Sequence, residues 1–183
     1  MRWPVIALVA ASVIAVIAPA RAADARLPGF HAPQTEAERA LDAILKSAGK
    51  DAAELDNLLE GRGKPGFRPT VDYRRVLTDA LLRAIRDAEA ALVKRDCDGA
   101  YRDGDICGLD YDPLVCAQDT AARYLYRTDA QQADTARISY AWPDQSKLAA
   151  TYQLVRTGGR WKLDGIRCGA DVDAGEGDAF NMK

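Results

Sequence analysis

The chain is poor in the side chains on which most catalytic sites depend. It has one histidine in 183 residues, His31, and beyond residue 22 only three serines, Ser47, Ser139 and Ser146. A Ser-His-Asp or Cys-His arrangement needs an imidazole within reach of its nucleophile. His31 sits in a stretch broken by Pro28, Gly29 and Pro33, and none of the serines has the context of a nucleophile elbow. Lys and Arg are scattered and the formal charge is −2, which excludes the basic face that nucleic acid requires and a polybasic membrane anchor. The break Gly61-Arg62-Gly63-Lys64-Pro65-Gly66 lacks the Walker spacing and follows no strand, so it is a loop and not a phosphate cradle. No internal repeat is present.

What the chain does have begins with a targeting pattern. Arg2 precedes an apolar run from Pro4 to Ile17, about 14 residues, the length of a signal-peptide core and short for a membrane span. Ala20-Arg21-Ala22 fits a small-x-small cleavage site, so cleavage is expected after Ala22, with Ala25 as second choice. No cysteine lies nearby to accept a lipid. Loss of Arg2 and Arg21, with no acid, takes the formal charge from −2 to −4. The expected product is a bacterial protein, periplasmic or secreted, with no transmembrane segment after cleavage.

That compartment decides how the four cysteines are read. Cys97, Cys107, Cys116 and Cys168 all lie beyond the cleavage site, and four thiols in an oxidising compartment imply two disulfides. A zinc site would carry tight Cys-x2-4-Cys pairs, which are absent, so no metal site and no cofactor is expected. Three connectivities are possible from the sequence. The preferred one is Cys97–Cys107, closing a local loop, with Cys116–Cys168, pinning a helix to the last strand.

Hydrophobic periodicity divides the rest. Residues 23–34 read as a flexible N-terminal segment, 35–170 as a single domain, and the polar, Gly-rich residues 171–183 as a flexible tail. Thr35-x-x-Glu38 is a capping box, and Leu41, Ile44 and Leu45 follow at helical spacing. Residues 51–59 form a second short helix. Residues 70–95 predict the longest helix, with an apolar stripe through Leu77, Leu81, Ile85 and Leu92 and with Glu89 among the solvated charges. A connector rich in cysteine and aspartate follows, and Asp112-Pro113 predicts a further helix to about residue 126. Beyond it, Ala136, Ile138, Tyr140 and Trp142 alternate, as do Leu148, Ala150, Tyr152 and Leu154, about a turn at Pro143-Asp144-Gln145-Ser146. Gly158-Gly159 predicts a tight hairpin. Ile166 and Cys168 fall out of phase with Trp161 and Leu163, which predicts a bulge around Asp164-Gly165. Helices followed by an antiparallel meander define the α+β class.

The connector supplies the candidate functional residues. Asp103 and Asp105 imitate the start of a calcium loop, but Cys107 and Leu114 stand where ligands are needed, so the loop reads as acidic and solvated. Asp112 reads as a structural cap. Asp110, Gln118, Asp119 and Trp161 are the candidates for contact with a ligand or partner. Asp119 with Tyr124 or Tyr126 would be the nearest approach to an acid–base pair.

The segment GLDYDPLVCAQD (108–119), with the hairpin ending GGRWKLDGI (158–166), resembles a family of small exported bacterial proteins of unknown function, similar in fold to the nuclear transport factor 2-like superfamily. The resemblance spans about residues 70–168. It implies a cone in which a curved sheet wraps a long helix, and an export route. It implies no reaction. The expectation is therefore an exported, disulfide-stapled, non-catalytic binding domain for a protein or envelope ligand, of immunity or inhibitor type. The alternative is a small-molecule-binding or enzymatic domain using the cone's pocket, lined by Tyr140, Tyr152 or Trp161.

Overall fold

A computed structural model describes residues 27–62, 64–102, 104, 106–142, 148–169 and 181–182. The targeting segment, Asp103 and Asp105, the turn at 143–146 and most of the tail lie outside the described residues.

Helix α1 (Glu36–Ala48) starts where its capping box places it. The Thr35 hydroxyl accepts from the Glu38 N–H at 3.1 Å, and the Glu38 carboxylate accepts from the N–H groups of Thr35 and Gln34 at 3.0 and 2.8 Å. Glu38 is fully buried and also receives the Thr128 hydroxyl at 2.8 Å. Burial pushes its carboxyl up. The Thr35 and Gln34 N–H groups and the Thr128 hydroxyl outweigh that and hold it below the usual glutamate range. Helix α2 (Glu54–Leu58) is short.

Helix α3 (Asp79–Cys97) begins nine residues later than the periodicity suggests. Residues 70–78 are not part of it: Tyr73–Arg75 form a 3-10 turn, and Leu77 pairs in parallel with Leu163 of the sheet. Backbone bonds Thr78 N–H to Leu163 O (2.9 Å) and Leu163 N–H to Val76 O (2.8 Å) take the groups that a longer helix would have used. Thr78 then caps α3 by accepting from the Leu81 N–H at 3.2 Å. The buried face runs through Leu81, Leu82, Ile85, Glu89, Val93 and Cys97, so Glu89 lies inside and not among the solvated charges.

The sheet has the order β1-β2-β3-β4-β5, antiparallel throughout. Its strands are β1 (Leu125–Gln131), β2 (Thr135–Ala141), β3 (Ala150–Thr157), β4 (Arg160–Cys168) and the two-residue β5 (Asn181–Met182). With its helices it makes an α+β fold. The β3–β4 hairpin turns at Gly158 and Gly159, both at positive φ (58° and 77°), as a tight two-residue turn demands. Register jumps from Gln153↔Gly165 to Leu154↔Leu163, so Asp164 is the extra residue of the expected bulge. The bulge aims Asp164 at α3, where it receives the Thr78 hydroxyl at 2.8 Å. One device restores the phase of Ile166 and fixes the start of the helix.

Helices α1 and α3 both lie against β4. Leu41, Leu45, Leu81 and Ile85 meet Ile138, Tyr140, Tyr152, Leu154 and Leu163 in one continuous core. Residues 27–31 return to the sheet, where His31 exchanges backbone hydrogen bonds with Tyr126 at 3.0 and 2.8 Å.

Both preferred disulfides are formed, Cys97–Cys107 and Cys116–Cys168, with Cα separations of 5.8 and 5.5 Å. Two disulfides suggest an oxidising, non-cytoplasmic setting. Among the described residues no helix is long and apolar enough to cross a membrane.

The helix expected from Asp112 to about residue 126 is absent. Asp112 Oδ1 does cap, accepting from the N–H groups of Leu114 (2.7 Å) and Val115 (3.1 Å). The chain closes one turn, with Cys116 N–H on Asp112 O at 2.9 Å, and stops. Cys116 sits at φ 58°, which breaks helical propagation, and its sulfur is tied to Cys168. Tyr124 and Tyr126 then enter the core from the sheet side.

Candidate functional site

Among its described residues the connector between α3 and β1 has no ladder to satisfy its backbone, and individual side chains take over that task. Leu109 N–H is met by the buried carboxylate of Glu89 at 2.6 Å. The Cys107 and Leu109 carbonyls accept from the Arg62 guanidinium at 3.0 and 2.8 Å. Arg62 also reaches Glu89 at 3.3 Å, and the Tyr101 hydroxyl donates to Glu89 at 2.8 Å. Glu89 thus holds the connector from beneath and Arg62 from the side. Arg62 adopts φ 43° to do so, a conformation non-glycine residues seldom take. Gly108 is required at its position: it lies at φ 80°, and a Cβ there would collide with the Glu89 carboxylate.

This bracing leaves an open cavity of about 700 Å³ between the connector and α2, within the range of natural ligand pockets. Its walls include Asp51, Glu54, Arg62, Tyr101, Ile106 and Tyr111. Ile106 is 77% exposed and Tyr101 42% exposed, so the rim presents apolar surface on a loop that the Cys97–Cys107 bridge closes.

At the floor, Glu54 meets Asp112. Glu54 is buried, and burial, then the hydrogen bond and negative charge of Asp112, then the charge of Asp51, push its carboxyl far above the ordinary glutamate range. Burial also raises Asp112, against the hydrogen bonds it receives from Glu54 and from the Val115 and Leu114 N–H groups. Of the two facing carboxyl groups, Glu54 is the one that burial and the neighbouring acids favour most strongly in its protonated form. Glu54 Oε1 and Asp112 Oδ2 are buried without another partner. Asp51 is fully engaged, accepting from Asn57 at 2.8 and 3.0 Å, the Tyr73 hydroxyl at 2.9 Å and the Ala53 N–H at 3.1 Å. Burial, followed by the charge of Asp110, pushes the Tyr111 phenol up to about 12.

The structure brings two of the four sequence candidates, Asp110 and Gln118, to this cavity. Asp119 is exposed and not among its lining residues. Trp161 is buried in the core, 7% exposed, with the Arg156 guanidinium 5.7 Å from its ring centre. Asp112 is both the cap expected of it and part of the floor. Tyr140 and Tyr152 are fully buried, and the Tyr152 hydroxyl donates to the Leu114 carbonyl at 2.8 Å. The Trp142 indole N–H donates to the Tyr140 hydroxyl. Sequence reasoning missed Glu54, Asp51, Arg62 and Ile106. A usable signal existed for one: an acid three residues after Asp51, at the start of a short helix that buries little apolar surface.

The fold and site together define a two-disulfide α+β domain with a charged cavity beside a stapled connector. The sequence matches no protein-family model, no curated protein and no solved structure.

Proposed function

We propose that this protein is an exported, non-catalytic binding domain, released by cleavage after Ala22 into the periplasm or beyond, that recognises a protein or envelope ligand through the cavity beside its stapled connector. An immunity or inhibitor role toward an effector acting outside the cytoplasm is its concrete form. The observation that carries this reading is Ile106: a large apolar side chain, 77% exposed, held at the rim of the 700 Å³ cavity by a loop that a disulfide closes. Preorganising such a loop lowers the ordering cost of binding. Packing of Tyr140 and Tyr152 into the core supports this rim over an interior pocket. We also take the fold to be a variant of the nuclear transport factor 2-like cone, a reading supported by the order of helices followed by a bulged antiparallel meander.

Affinity capture with the mature chain from envelope extract, followed by mass spectrometry, tests the docking surface. Ile106→Glu is expected to abolish recovery of the partner. Leu148→Glu, at an exposed position away from the cavity, is expected to leave recovery unchanged. Equal recovery by both variants would remove the basis for this surface.

A further inference from the structure

The floor of the same cavity carries a sharper reading, which rests on the assignment of this cavity as the recognition site. Three basic residues line it, and each is already engaged: Lys64 by Asp56 at 2.8 Å, Arg62 by Glu89 at 3.3 Å, and Arg102 by Asp98 at 2.5 Å. Asp51, Glu54, Asp110 and Asp112 also line it, and none of them has an ion-pair partner among the described residues. Glu54 is more than nine-tenths buried, at 8% exposure. Beyond the hydrogen bond between them, its Oε1 and the Oδ2 of Asp112 have no partner.

We propose that this floor binds an organic cation, a primary ammonium or a guanidinium group, against the Glu54–Asp112 carboxyl pair. Two carboxyl groups in contact are held together by a proton or by a cation between them. An ammonium offers three donors and a guanidinium five, enough to serve both oxygens once the proton between them has left and both groups are ionised. An inorganic ion fits less well. Asp51 and Asp112 Oδ1 are already spent on N–H and O–H donors, and among the described residues no group of three or more metal-ligating side chains is assembled.

The exchange balances in protons: the cation enters, Glu54 ionises and its proton passes to solvent. The groups facing Glu54 are Asp51, Asp112 and the Tyr73 hydroxyl, with Arg62 and Lys64 elsewhere in the cavity wall. Affinity for a cation accordingly rises with pH. Stability moves the other way. The folded protein holds the Glu54 proton more tightly than the unfolded chain, so stability from that proton is full below the ordinary glutamate range. It is lost as pH climbs toward the raised value.

Titration calorimetry on the full mature protein tests this with three probes: the capped tripeptide acetyl-Gly-Lys-Gly-amide, its norleucine counterpart, and free n-butylamine. The lysine peptide or the amine is expected to bind and the norleucine peptide not to. Two buffers of different ionisation enthalpy are expected to report about one proton released per cation bound, with affinity rising up to about tenfold per pH unit. Tighter binding by the peptide assigns a cation borne on a protein, and tighter binding by the amine assigns a small free ligand. Glu54→Gln keeps a donor toward Asp112 and is expected to fold, with a flatter dependence of Tm on pH, while losing about tenfold or more in affinity together with the proton release. Equal binding of lysine and norleucine peptides, absence of proton release from the wild type, or wild-type affinity in Glu54→Gln would each overturn the proposal. If Ile106→Glu abolishes partner capture while no proton is released, this inference fails and the docking surface stands. Cation binding with capture indifferent to Ile106→Glu has the reverse meaning.

Discussion

The sheet and the connector face the same physical demand, that buried backbone groups find partners, and they meet it differently. In the sheet, the ladder satisfies each strand through its neighbour, and no single side chain is indispensable to the pairing. In the connector, backbone groups hang on individual side chains: Leu109 N–H on Glu89, the Cys107 and Leu109 carbonyls on Arg62, the Leu114 and Val115 N–H groups on Asp112, and the Leu114 carbonyl on Tyr152. The contrast teaches where function can reside. A ladder leaves its backbone paired strand to strand, whereas side-chain bracing leaves a cavity and two carboxyl groups with no partner but each other, beside apolar residues kept on the rim. Recognition residues carried on loops over a rigid scaffold follow the same division.

The largest test of this contrast removes the bridge that joins the two regions. Cys116–Cys168 spans 52 residues and ties the connector to β4. Its removal in Cys116→Ser/Cys168→Ser is expected to cost about 4 kcal/mol in chemical denaturation, by the chain-entropy estimate. A loss close to zero would mean that the two regions do not depend on this tie. A smaller effect is expected inside the connector. Glu89→Ala withdraws the acceptor from Leu109 N–H and Tyr101 and leaves Arg62 without its carboxylate. Breaking such a buried contact is expected to cost about 3 kcal/mol, with hydrogen exchange accelerated first at Leu109. Uniform acceleration across the sheet would blur the distinction between ladder and brace.

The same contrast explains what could be read from the sequence. Alternation in β2 and β3, the Gly158-Gly159 hairpin and the phase slip at Asp164 are local and periodic, and so are legible. Strand β1 was not: Asp112-Pro113 is a genuine cap signal, realised as a single turn, and nothing local announces that Cys116 takes a left-handed conformation and hands Tyr124 and Tyr126 to the sheet. The start of α3 slipped for a related reason, since residues 76–78 have helical periodicity but are claimed by the edge of β4. The buried position of Glu89 is a tertiary fact. Its place in the apolar stripe, four residues from Ile85 and from Val93, is visible in retrospect only because the connector lies over it. Of the candidate site, Asp110 and Gln118 were within reach because they lie in the connector itself. Glu54 belongs to a distant helix and meets Asp112 only in the folded chain.

The central claim is that the braced connector, and not the sheet, does the recognising. It is tested most directly by opening the smaller bridge alone. Cys97–Cys107 closes only a short loop, so Cys97→Ser/Cys107→Ser is expected to lower stability by less than about 3 kcal/mol, leaving a cooperative unfolding transition. Capture of the partner by this folded variant is the measurement to make. Loss of capture is the predicted result; capture at wild-type strength by the folded double variant would contradict the account.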